Sequence, residues 1–75
     1  MKYYVIEMQT GESGTASVQI YEDRNLAEAR YHEILMYASQ SKVHKHGAMI
    51  MTEDMFVVKS EVYVHQEKYD DLDTI

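Results

Sequence analysis

The stretch DRNLAEARYHEILMYAS, residues 23–39, contains the clearest local signal in this chain and decides its fold class. Its apolar residues recur at helical spacing and form one stripe: Ala27, Tyr31, Ile34, Leu35 and Ala38. Asp23 or Asn25 can cap the N-terminus, because a short side-chain oxygen accepts from the free N–H groups of the first turn. We expect Lys42 to complement the dipole at the other end. The stretch predicts one helix with a single buried face.

Short apolar runs on both sides of this helix predict strands. Tyr3–Met8 and Ala16–Tyr21 are separated by a glycine-containing loop, which is typical of a β-hairpin. After a connection over Val43–Gly47, the runs Ala48–Met51 and Phe56–Val64 predict a second hairpin around a short polar break. The order β-β-α-β-β predicts an α+β fold, a four-stranded antiparallel sheet with one helix packed on one face. An alternative keeps Ala16–Tyr21 as a loop and leaves a three-stranded βαββ core.

Length and composition predict a single small domain over residues 1–66, followed by an acidic, mobile tail over residues 67–75. The chain of 75 residues contains no cysteine, which excludes disulfides and thiolate metal sites. A domain of this size has a small core, and oligomerisation is one of the few remaining ways to stabilise it.

The charge balance indicates which kinds of partner the chain can bind. Thirteen acidic and seven basic residues give a formal net charge of -6, which disfavours nucleic acid and anionic membrane surfaces. A protein partner is expected to be neutral or basic. The N-terminus lacks the long apolar segment of a signal peptide, and no stretch is long enough to span a bilayer. The sequence therefore predicts a cytoplasmic protein.

Sorting the strand residues by face leaves more apolar surface than one helix can cover. We expect the helix to cover the face with Tyr4, Ile6, Met8, Val18, Ile20, Ile50, Phe56, Val58, Val62 and Val64. The other face then carries Tyr3, Val5, Met49, Met51, Val57 and Tyr63. Exposed apolar patches of this kind mark interaction surfaces, so this second set is the predicted interface. A homodimer is the simplest use of it, and a different protein is the alternative.

The four histidines supply the second hypothesis, a small-ligand or metal-binding protein. His44 and His46 lie on the same side of an extended chain, and His32 and His65 can join them in a tetrahedral zinc shell. Lys45 between the two places a cation beside the metal, and a solvated connection is the simpler interpretation. We therefore expect no bound metal and no cofactor.

Catalysis is not indicated. No pair of carboxylates is placed in an apolar setting, and no Ser, His and acid have a spacing that suggests a triad. The segment Gly11–Gly14 is a hairpin loop without the lysine and following helix of a phosphate loop. The sequence predicts a protein that is not an enzyme.

Three segments also form a recurring overall pattern. They are YYVIEMQTGESGT (residues 3–15), EDRNLAEARYHEIL (22–35) and VVKSEVYVHQ (57–66). Over residues 2–66 the chain resembles a group of small uncharacterised proteins of Firmicutes and their phages or mobile elements. The resemblance implies a bacterial or phage cytoplasmic setting and assigns no activity to any residue. The working hypothesis is a non-catalytic, homodimeric interaction module, an inhibitor or accessory protein of phage or mobile-element origin.

Overall fold

The helix and both hairpins are present in the structure, a computed structural model that describes residues 1–65. The predicted acidic tail lies outside the described residues. In chain order the elements are β1 (Tyr3–Thr10), β2 (Gly14–Tyr21), α1 (Arg24–Gln40), β3 (Lys45–Thr52) and β4 (Val57–Val64).

The four strands form one sheet in the order β2-β1-β3-β4, with every neighbouring pair antiparallel. This order places β1 and β3 in the centre and leaves β2 and β4 as the edges. The predicted α+β fold is confirmed. The three-stranded alternative is wrong, because β2 pairs with β1 from Tyr3↔Tyr21 to Thr10↔Gly14.

The helix α1 is built as its sequence predicts. Asp23 is the N-cap, and its Oδ1 accepts a hydrogen bond from the backbone N–H of Asn25 at 2.7 Å. The predicted stripe is the buried face of the helix: Ala27, Tyr31, Ile34, Leu35 and Ala38. It packs on Val5, Ala48 and Ile50 of the two central strands, so the core lies between α1, β1 and β3.

The strand β3 begins earlier than the sequence predicts. It starts at Lys45, whereas Val43–Gly47 was expected to be a connection. Gly47 is a strand residue paired with Val62, and a Cβ built on it would lie 2.4 Å from the carbonyl oxygen of Glu61. The glycine thus permits a close approach of β4 and does not end the strand.

The turn between β3 and β4 corrects the expected position of Phe56. Phe56 lies in the turn and is 65% exposed, whereas it was predicted to face the helix from within the last strand. Its carbonyl accepts from the N–H of Thr52 at 2.8 Å, and Met55 adopts a φ of 68° to complete the turn. The register then shifts between Ile50 and Met51, and this bulge turns Val58 toward the core.

Candidate functional site

The sheet face opposite α1 is strongly apolar, and we call it the free face. Cross-strand partners lie on the same side of a sheet, so the strand registers define its members. They are Tyr4, Ile6, Met8, Val18, Ile20, Met49, Met51, Val57, Val62 and Val64. Six of the ten side chains are exposed to solvent: Met8, Val18, Ile20, Val57, Val62 and Val64. The strand positions between them carry one charged side chain, Lys45, and no carboxylate.

Three of the six predicted interface residues lie on the free face, namely Met49, Met51 and Val57. The other three, Tyr3, Val5 and Tyr63, belong to the opposite side. Val5 is 1% exposed in the core, and Tyr3 and Tyr63 pack against that core.

The face assignment of the first two strands is therefore inverted. The helix covers the less apolar set of β1 and β2, and the larger set, which includes Tyr4, Ile6 and Val18, faces away from it. On β4 the same correction applies to Val62 and Val64, which are 56% and 62% exposed. The physical reason is that the buried face of the helix is narrow and covers only the middle of the sheet. Polar side chains can therefore lie beside the helix on the same side of the sheet.

Two depressions lie on the free face. One, of about 340 Å³, has Gly47 in its lining and is flanked by Met8, Met49 and Val62. The other, of about 260 Å³, is lined by Tyr4, Ile6, Val18, Met51, Thr52, Glu53 and Met55. The surface therefore has hollows between its side chains that can receive the side chains of a bound protein.

A polar cluster lies on the opposite side of the sheet, beneath the helix. His46 is 5% exposed, and its Nε2 lies 2.7 Å from Oε2 of Glu7. Arg30 of α1 lies 3.8 Å from the other oxygen of Glu7 and also pairs with Glu33. Nδ1 of His46 and Nε of Arg30 have no hydrogen-bond partner among residues 1–65. The cluster connects β1, β3 and α1 and belongs to the fold.

His44 and His65 hold the C-terminal end of the helix. The N–H of His65 donates to the carbonyl of His44, and Nδ1 of His44 lies 2.7 Å from the carbonyl of His65. Nε2 of His65 lies 2.7 Å from the carbonyl oxygen of Ala38, in the last turn of α1. The last helical turn contains no basic residue, and the ring of His65 occupies a free carbonyl group there.

The histidines do not form a metal centre in the described part of the chain. Among residues 1–65, no three His, Asp or Glu side chains are grouped so that they can hold a metal ion. His32 is exposed on the helix beside Tyr31, while His46 is buried against Glu7.

Ion pairs attach the outer edge of the helix to β4. Glu28 accepts hydrogen bonds from Lys59 and Arg24, each at 2.8 Å. The bond from Lys59, followed by that from Arg24, holds the pKa of Glu28 below its ordinary value of 4.5. The pKa of Tyr31, by contrast, is raised above its ordinary value because its hydroxyl group is buried against the core.

The lowered pKa of Glu28 predicts how the stability of the fold changes in acid. Glu28 stabilises the fold above its ordinary pKa of 4.5, and this contribution is lost as the pH falls through the folded pKa. We expect Glu28→Gln to be less stable than wild type at neutral pH, with the difference shrinking as the pH falls below 4.5. Urea denaturation across this range measures the difference. Glu12→Gln is the control, because Glu12 makes no ion pair with residues 1–65. A constant difference for Glu28→Gln contradicts the assignment.

The fold and the site together define a two-layer α+β domain with an open apolar sheet face. Comparisons with protein-family models, with curated proteins and with solved structures found no match for this chain. No helix among residues 1–65 is long and apolar enough to cross a membrane.

Proposed function

We propose that this chain is a non-catalytic protein-interaction module that forms a homodimer by packing its free face against that of a second copy. The observation that carries the proposal is the composition of that face, ten large apolar side chains on four strands without a carboxylate among them. Antiparallel sheets with one solvated side normally carry polar residues there.

The size of the free face is sufficient for a dimer. Each strand has eight residues, and at standard spacings four such strands cover about 500 Å² in projection. Two copies then bury about 1,000 Å² in total, the size at which specific interfaces begin. Side-chain relief adds to this area, because methionine and valine side chains of one copy can enter the depressions beside Gly47 and Met51 of the other.

Charge supports a second copy as the occupant. The chain has a net charge of -6, yet the strands of the free face bring no acidic group into the contact. The strands of two free faces therefore meet without repulsion between carboxylates. Glu53 and Glu61, which also line the depressions, belong to the turn after β3 and to the helix side of β4. Burial of the face also adds the stabilisation that a small core lacks.

The acidic exterior of the dimer suits a second, basic protein. In this proposal the chain is an inhibitor or accessory protein of phage or mobile-element origin that acts in the bacterial cytoplasm. The support for this part is the net charge of -6 and the resemblance described above.

A lysine placed at the centre of the free face tests the dimer. Met49 lies on the central strand β3, opposite Ile6 and Ser60. We expect Met49→Lys to halve the mass measured by sedimentation relative to wild type, because the two-fold contact brings two buried ammonium groups together. The fold should survive, since a lysine stem can lie along the sheet with its head in water.

Met36→Lys is the matched control. Met36 is a 53% exposed methionine on the outer side of the helix, so the same change there should leave the mass unchanged. Circular dichroism checks that both variants retain their helix. A wild-type protein that is monomeric at micromolar concentration, or a Met49→Lys variant with the wild-type mass, rejects the proposal.

A further inference from the structure

The strand β2 is an unprotected edge. It is the first strand in the sheet order, and within residues 1–65 no strand pairs with its outer side. Seven of its eight residues are exposed. Its outward N–H and C=O groups are therefore available to another strand, which is the usual route of strand addition between chains.

The other edge carries the features that prevent such pairing. β4 contains the charged residues Lys59 and Glu61, and a bulge at Val58 interrupts its register. β2, with the sequence GTASVQIY, has no charge and no proline, and its pairing with β1 is continuous over all eight residues. The contrast between the two edges indicates that β2, and not β4, is suited to pairing with a strand of another chain.

We propose that β2 pairs antiparallel with β2 of a second copy around a two-fold axis normal to the sheet. An antiparallel edge is complementary to itself under such a rotation. A second copy meets this edge without charge repulsion between the paired strands, because β2 is uncharged although each chain carries a net charge of -6. This contact uses backbone groups and stands independently of the free-face dimer.

The geometry of the pairing follows from the strand. An axis through Val18 pairs Ala16 of one copy with Ile20 of the other, both on the free-face side. It also pairs Ser17 with Gln19 on the helix side. The two free faces then lie on the same side of one eight-stranded sheet and form a continuous apolar surface. When the axis of the face contact runs across the strands, it meets the edge axis at a right angle, and the two contacts together close an assembly of four chains.

Charges on the helix side of β2 test the edge without touching the free face. Ser17 and Gln19 pair with Glu7 and Val5, on the side away from the free face, and both are exposed. We expect the double variant Ser17→Lys, Gln19→Lys to halve the sedimentation mass, because the axis places lysines of the two copies opposite each other. The double variant Ser17→Thr, Gln19→Thr is the uncharged control and should keep the wild-type mass.

Combining the variants separates the two contacts. We expect four chains for wild type, two for Met49→Lys, two for the double-lysine variant and one when all three substitutions are combined. A double-lysine variant with the wild-type mass overturns the edge contact and leaves the face dimer standing. A Met49→Lys variant with the wild-type mass overturns the face dimer and leaves the edge contact standing.

Hydrogen exchange of the wild-type protein provides a measurement that does not depend on how the variants fold. Pairing through β2 should slow exchange of its outward amides as concentration rises, while the outward amides of β4 exchange at a constant rate. Equal and concentration-independent exchange at the two edges overturns the proposal.

Discussion

Replacing Ile50 by alanine is expected to lower the free energy of unfolding by about 2–5 kcal/mol, the usual cost of emptying a buried aliphatic site. Ile50 is 0% exposed at the centre of β3, where it lies between Val5 and Lys59 on the neighbouring strands. Only one helix packs on this side of the sheet, so few neighbouring groups can move inward to fill the space. The loss is large relative to the whole free energy of unfolding, which is about 0.05–0.15 kcal/mol per residue.

Urea denaturation followed by circular dichroism measures the loss, and Leu26→Ala is the control. Leu26 is 58% exposed on the first turn of the helix, so its truncation should change the free energy of unfolding by at most about 0.5 kcal/mol. If the two variants lose the same stability, the core does not lie where the structure places it.

The same variant also reports on association. An interface that exists only between folded chains stabilises them by mass action, so the denaturation midpoint rises with protein concentration. Ile50 faces the helix and not the free face, and its truncation should leave this dependence in place. Met49→Lys should reduce it while leaving the core intact.

The helix was predictable residue by residue because its signal is local. A period of 3.6 residues selects one stripe, and all five residues of that stripe are buried. The N-cap is equally local, since Asp23 acts on an N–H group two residues away. The existence of four strands followed in the same way from short apolar runs bounded by turn residues.

The identity of the buried sheet face was not predictable by counting apolar residues. Both faces of β1 are rich in them, and the one that contacts the helix also includes the charged residue Glu7. Its partners are distant in sequence, since His46 is 39 residues away and Arg30 belongs to the helix. Alternation along a strand defines two sets, but only the tertiary partners decide which set is inside.

The strand order was also open, because four strands in two hairpins can be arranged in several ways around one helix. In the structure β1 pairs with β3 on one side and with β2 on the other, so β2 is left at the edge of the sheet. Neither the free face nor the unprotected edge can therefore be assigned from the sequence of a single strand. The predicted interface residues that lie on the free face include Met49 and Met51 of β3, where the two sides of the strand differ more clearly.

Gly47→Ala is the second substitution with a large expected effect, and we expect it to cost about 1–3 kcal/mol, as overpacked positions do. The added Cβ would lie 2.4 Å from the carbonyl oxygen of Glu61 and 2.8 Å from Cα of Val62. Both are backbone atoms of β4, so no side-chain rotation relieves the contact. The strands β3 and β4 must separate, which weakens the ladder between them.

Gly14→Ala is the matched control, because the same chemical change there meets nothing within 4 Å and no glycine has a positive φ among residues 1–65. Alanine should be neutral at that position, or stabilising by about 0.4–1 kcal/mol through the unfolded state. Hydrogen exchange gives the local evidence: in Gly47→Ala the amides shared by β3 and β4 should lose protection, whereas those shared by β1 and β2 keep it. Uniform loss across the sheet, or equal stability of the two variants, contradicts the close approach. The position matters for association as well, since Gly47 belongs to the larger depression of the free face and a side chain there reduces the space for a second copy.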